Sequence, residues 1–183
     1  MAMVLTVPRY TVADLERFPD DGPPYELLDG HLLVTPSRGH EHQAVATRLP
    51  VALARALETR PGLRVVGPGV VVREPGTQLQ PDVMVYRTDG LLSASWKELQ
   101  EVLLAVEVLS PSSRIYDREF ERDAYLALGV EELWPVDLKE LAVLVSRAGH
   151  PPDQRVSGVL RWQAPHLDTP IELDLDRVFA DLA

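Results

Sequence analysis

Apolar and polar positions along this chain repeat with two periods, and the change from one to the other marks the elements. Thr11 is placed to cap a short helix, VADLERF, which Pro19 and the DDGPP run then end. YELLDGHLLVTP sets two short apolar runs around Asp29-Gly30, a pair that tolerates positive φ, so two antiparallel strands joined by a tight turn are predicted. From about Gly39 to Glu58, Val45, Leu49, Ala52, Leu53, Ala56 and Leu57 recur at three- and four-residue spacing. That spacing predicts an amphipathic helix, with Pro50 kinking it or marking a break. LRVVGPGVVVRE reads as an extended segment interrupted by Gly67-Pro68-Gly69, and PDVMVY as a short buried strand. A loop with a short helix is expected over 90–100.

EVLLAVEVLS is the most strand-like run, aliphatic on both faces as a central strand must be. A helix from about Ser113 to Leu128 follows, ended by Gly129, with Ser112 or Ser113 as its cap. EELWPVD and LAVLVSR, separated by LKE, read as a hairpin. Pro135 lacks an N–H for the ladder and points to an edge strand or a bulge. RVSGVLRWQ is expected to add one strand, and DLDRVFADL a terminal helix capped by Asp174. Trp134 is expected in the core, and Trp96 and Trp162 at the surface or an interface. Alternating strands and helices flanked by hairpins describe an α/β or α+β sandwich with a mixed sheet, formed as a single domain over 1–183.

Composition removes several chemistries. The chain has no cysteine, so disulfides, thiolate zinc sites and cysteine nucleophiles are excluded. No apolar run nears the roughly 20 residues that span a bilayer. The N-terminus, MAMVLTVPRY, has neither a basic start nor a long apolar stretch, so a cytoplasmic location is expected. A formal net charge of −10 repels a polyanion at long range and weighs against simple DNA coating. It weighs less against a nuclease whose bound cations neutralise an acidic site. The basic residues are 16 arginines against two lysines, Lys97 and Lys139.

One carboxylate stands out in LLAVEVLSPSS, where Glu107 interrupts an otherwise aliphatic strand. Burying an unpaired carboxylate costs several kcal/mol, so such a residue takes a proton, a cationic partner or a metal ion. Asp82, in QPDVMVY, opens the preceding strand, and adjacent strands bring two such residues within a few ångströms of each other. Clustered carboxylate oxygens suit Mg²⁺ or Mn²⁺. The plainer alternative is an Asp that opens a strand after Pro81 and a Glu that pairs with an arginine.

The ordered set YELLDG, HEHQAV, QPDVMVY, LLAVEVLSPSS and YLALGVEELWPVD resembles the Uma2 family, also called DUF820, over roughly Tyr25 to Arg147. The resemblance implies a restriction-endonuclease-like core of the PD-(D/E)XK type, a mixed β-sheet flanked by helices, here with extra hairpins. It further implies Mg²⁺- or Mn²⁺-dependent hydrolysis of DNA phosphodiesters. Asp82 and Glu107 would be the motif acids and the carbonyl of Val108 the remaining protein ligand. A homodimer fits both the family and the need to approach two strands of a duplex.

Departures from the family pattern bear on activity. The lysine expected two residues after Glu107 is Leu109, and the alternative family position, four residues before Tyr125, is Glu121. On a wheel of 100° per residue, Tyr116, Phe120, Ala124 and Leu128 form the buried face of that helix. Glu121 borders this face, Arg114 and Arg118 lie beyond it, and Arg122 points further toward solvent. Glu121 is then either a third ligand or water-orienting base, or a surface partner of Arg114 or Arg118. The arginines suit phosphate binding, but their pKa is too high for a general base. Glu26 and His42 match further motif positions. Glu26 is a ligand or a solvent-facing strand residue, and His42 faces the site or caps the core. The sequence thus points to a metal-dependent endonuclease, with a catalytically silent, nuclease-fold binding module as the alternative.

Overall fold

The computed structural model describes residues 7–19, 24–34, 38–88, 95–99, 101–109, 115–150, 154–164 and 167–182, with backbone alone for 98 and 115–120. Its centre is a six-stranded sheet built from β3 (Leu63–Val66), β6 (Val83–Arg87), β7 (Val102–Leu109), β8 (Glu132–Asp137), β9 (Ala142–Arg147) and β10 (Gln154–Val156). The spatial order is β10-β9-β8-β7-β6-β3. The β7–β8 pair is parallel and the others antiparallel, so the sheet is mixed. A parallel pair needs a crossover, and α3 (Ile115–Ala127) supplies it.

Two smaller sheets pack against the central one. β1 (Tyr25–Leu28) and β2 (His31–Val34) form the predicted hairpin, with Asp29 at φ 49° and Gly30 at φ 79° as a type I′ turn requires. With β4 (Val71–Arg73) and β5 (Thr77–Leu79) they make a four-stranded sheet in the order β2-β1-β5-β4. β11 (Val159–Trp162) and β12 (Ile171–Asp174) form a separate antiparallel pair. α1 (Val12–Leu15), α2 (His40–Ala56), α4 (Leu175–Val178) and a 3₁₀ turn at Trp96–Glu98 complete the described elements. Among the described residues no helix is long and apolar enough to cross a membrane.

The strand period sorts the core onto two faces of the central sheet. Val83 and Val85 of β6 join Val106, Val108 and Trp134 in a cluster with Val45, Leu49 and Leu53 of α2. Met84, Tyr86 and Ala105 join Leu28, Leu79 and Tyr125 in a cluster on the other face. Alternation puts Glu107 on the face of Ala105, toward α3 and the first hairpin.

Several expectations are corrected. α1 ends at Leu15 rather than Phe18, although Thr11 and Asp14 make the expected reciprocal cap. α2 runs through Pro50 without a break, because one forfeited N–H bond is outweighed by the burial of Leu49 and Leu53. Pro135 lies on neither an edge nor a bulge. β8 sits between β7 and β9, and its pairing with β9 skips Trp134 and Pro135 but resumes in the same register. RVSGVLRWQ forms parts of two strands in different sheets, separated at Gly158 with φ 72°. Trp162 is core, 1% exposed and edge-on to Trp134 at 5.8 Å, because the alternation of β11 turns Leu160 and Trp162 inward. In the second half of α3 the buried side chain is Tyr125, with Ala124 and Leu128 only half-buried. The side chains of Tyr116 and Phe120, the caps proposed at Ser112 and Ser113, and most of the loop over 90–100 lie outside the described residues.

Candidate active site

Asp82 and Glu107 are brought together by strand register. Val83 pairs with Val106 across β6 and β7, so the next step outward sets Asp82 against Glu107. Asp82 is 3% exposed, and its Oδ2 accepts a hydrogen bond from the Val108 N–H at 2.9 Å. His42 Nε2 lies 3.2 Å from the same oxygen. The Arg38 guanidinium approaches the other, with Nη1 2.6 Å from Oδ1. That contact lacks hydrogen-bond alignment, and Oδ1 stays buried without a donor, as does Nδ1 of His42. His42 is positioned by the helix period, one turn before Val45 on the buried stripe of α2. Anchoring that stripe in the core carries the first turn of α2 to Asp82.

Glu107 is half-buried between β7 and α3. Its Oε1 accepts a hydrogen bond from the Tyr125 hydroxyl at 2.5 Å. Burial raises the Glu107 pKa well above the ordinary carboxylate value, and the nearby charges of Asp82 and Glu26 push it the same way. The Tyr125 hydrogen bond opposes this rise and Glu121 adds to it. Burial, with Glu107, Glu26 and Glu121 beyond it, also raises the Tyr125 pKa well above that of a free phenol, so its hydroxyl stays a donor. Glu26 reaches in from β1, and its Oε1 accepts the Gln80 N–H at 2.6 Å, two residues before Asp82. It is therefore not a solvent-facing strand residue.

Thus Asp82, Glu107, Val108, Glu26 and His42 come together at one end of β6 and β7, with Glu121 near enough on α3 to act on Glu107 through its charge. Arg114 and the side chain of Arg118 lie outside the described residues. Arg122 was expected toward solvent, but its side chain is 23% exposed and ion-paired to Asp123 at 2.8 Å. Two contributors were not read from the sequence. Tyr125 served there only as a motif landmark, although its i+4 spacing from Glu121 places both on one helix face. Arg38 precedes the Gly39 cap of α2 and carries no periodic signal. Among the described residues, no three His, Asp or Glu side chains form a ready-made metal cage.

The Uma2 family model, described as "Putative restriction endonuclease", matches residues 12–176. No curated protein matches the chain. Among solved structures, the chain is similar to the "crystal structure of a putative nuclease belonging to DUF820 from Anabaena variabilis ATCC 29413". The TM-score is 0.71 at 17% identity, covering 94% of this chain and 99% of that one. At that identity the likeness speaks for the fold, a mixed sheet flanked by helices shared over nearly the whole of both chains. A family match that begins in α1 and ends in α4, and so spans every element of the acidic centre, places this chain in the Uma2 family.

Proposed function

We propose that this protein is a divalent-metal-dependent endonuclease that hydrolyses DNA phosphodiesters, with Asp82 and Glu107 holding Mg²⁺ or Mn²⁺. One observation carries the reading: the β6–β7 register sets buried Asp82 beside Glu107, with Glu26 reaching the same end from β1. Carboxylates that resist one another's ionisation suit a hard cation, which inverts the local charge balance. The donor set fits such an ion, since Asp82 Oδ1 is a buried acceptor without an aligned donor. In an extended strand the N–H and C=O of one residue face the same edge. The Val108 carbonyl therefore faces the side on which its N–H meets Asp82, and it is the third protein ligand in this reading.

A bound ion supplies Lewis-acid charge and lowers the pKa of a coordinated water. The chain's own groups do the rest. Tyr125 holds Glu107 by donating its hydroxyl hydrogen to Oε1, and His42 with the Val108 N–H fixes Asp82. Glu121, in place of the usual lysine, orients the attacking water and takes its proton. The sequence offers Arg114, Arg118 and Arg122 for the phosphate, and Arg122 is already engaged by Asp123.

Calorimetric titration of Mn²⁺ into wild type, Asp82→Asn and Glu107→Gln, paired with a plasmid-cleavage assay, tests this. Wild-type binding lost in both variants, with a cleavage product that disappears alongside, is the expected result. Wild-type binding retained in both variants would exclude this site. A second reading, a silent binding module, is favoured by Leu109 and Glu121 at the two lysine positions. Metal binding without any cleavage product would favour it.

A further inference from the structure

We propose that Arg38 is the resident counter-ion of Asp82, that the divalent ion displaces it, and that the freed guanidinium then binds the substrate phosphate in place of the absent lysine. The inference rests on the metal-dependent reading above and concerns a residue that reading does not use.

A carboxylate 3% exposed needs positive charge nearby, and Arg38 Nη1 supplies it at 2.6 Å from Oδ1. The contact is an ion pair whose N–H groups are not aligned on that oxygen. It engages the oxygen that has no other partner, whereas Oδ2 is held by the Val108 N–H and approached by His42. A divalent ion on Oδ1 and a guanidinium 2.6 Å from the same atom repel each other and compete for the same charge. Metal binding on Oδ1 therefore favours movement of Arg38 away from Asp82.

The side chain has somewhere to go. It is 23% exposed, and its backbone precedes the Gly39 cap, so the helix does not hold it. A displaced guanidinium keeps five N–H donors and a permanent charge beside the ion, a geometry that grips two phosphate oxygens. Lysine provides no alternative among the described residues. Lys97 is engaged by Glu16 and Glu74 at 3.3 and 2.9 Å, and Lys139 lies in the exposed β8–β9 turn. Arginine is too basic to take a proton from water, so the role assigned to Arg38 is phosphate positioning, with proton transfer left to a carboxylate.

The test compares wild type with Arg38→Gln and Arg38→Lys as full chains. Mn²⁺ affinity is measured by calorimetry, and affinity for a labelled DNA duplex in Ca²⁺ by fluorescence anisotropy. Loss of the competing charge should tighten Mn²⁺ binding by Arg38→Gln about tenfold. The same variant should bind the duplex about tenfold more weakly, with a shallower salt dependence. Mn²⁺ should also raise its unfolding midpoint more than that of wild type, which a purely structural ion pair does not predict. Wild-type Mn²⁺ binding with no gain in Arg38→Gln overturns this inference alone, as does an unchanged affinity for the duplex. Failure of both proteins to bind Mn²⁺ overturns the nuclease reading and this inference together. If Arg38→Gln does not fold, Arg38→Lys, with the charge kept but the two-pronged donor geometry lost, should bind Mn²⁺ as wild type does and the duplex more weakly, and an unchanged duplex affinity overturns the inference.

Discussion

Glu107 concentrates the chemistry of the chain in one residue. Its ordinary value is 4.5, and in the folded state burial and neighbouring carboxylates raise it well above that. Below 4.5 the group is protonated whether folded or unfolded. As pH rises, the unfolded chain ionises first and binds fewer protons, so this group's contribution to stability falls until the folded pKa is passed and then stays constant. Glu107→Gln should therefore raise the unfolding midpoint in chelator at neutral pH and flatten its decline as pH rises above 4.5, even as Mn²⁺ binding is lost. Thermal unfolding across that range checks it; a lower midpoint throughout would mean that the carboxylate contributes more as a hydrogen-bond partner than it costs as a charge. Tyr125→Phe removes the hydrogen bond that lowers the Glu107 pKa, so that pKa climbs further. Mn²⁺ affinity at neutral pH should fall about tenfold, and the pH at half-maximal binding should move up. Calorimetry at several pH values reads both. Glu107 and Asp82 were legible because a charge in an apolar strand is conspicuous. Tyr125 and Arg38 were not, since a tyrosine on a helix and an arginine in a loop have ordinary surface roles.

Elements aim these residues, and the close approach of one turn to one strand matters most. A Cβ on Gly67 would stand 2.8 Å from the Asp82 carbonyl oxygen, closer than unbonded atoms tolerate. Gly67→Ala should thus push the opening of β6 outward, costing about 1–3 kcal/mol of stability and weakening Mn²⁺ binding because Asp82 moves with its backbone. Denaturant unfolding and calorimetry on the same variant test the two effects, and full stability with wild-type binding would show that the turn yields instead. The long elements were legible: α2 by its helical period, β7 by its aliphatic run and the first hairpin by Asp29-Gly30. β5 and β12 were missed. β5 is three residues of mixed polarity, linked to β1 only through Leu27 and Gln78, and such a strand exists only because a neighbour's edge is there to pair with.

Across the whole molecule, the two faces of the central sheet divide the labour. Trp134 and Trp162 pack with α2 on one face, while Glu107 and Tyr125 meet on the other. Glu132 supports the first face, accepting hydrogen bonds from Trp134 Nε1 at 2.5 Å and Arg147 Nε at 2.6 Å. Trp162 packs on Trp134 rather than on the first turn of α2, so Trp162→Ala should cost about 3–5 kcal/mol in denaturant unfolding and leave Mn²⁺ affinity within about twofold of wild type. A large loss of affinity would mean that strain reaches Asp82 through α2 and His42.

The sequence by itself determined the periodic elements, the absence of thiol chemistry and the two carboxylates that an apolar setting makes costly. These are local properties, visible in spacing and residue type. Only the tertiary structure decided that Arg38 and His42 meet Asp82, that Tyr125 holds Glu107, that Pro135 is interior and that Trp162 is buried. Each of those depends on which strand lies beside which and on where a helix ends in space. Contacts between residues distant in the chain follow from sheet order and packing, to which no local pattern of residues refers.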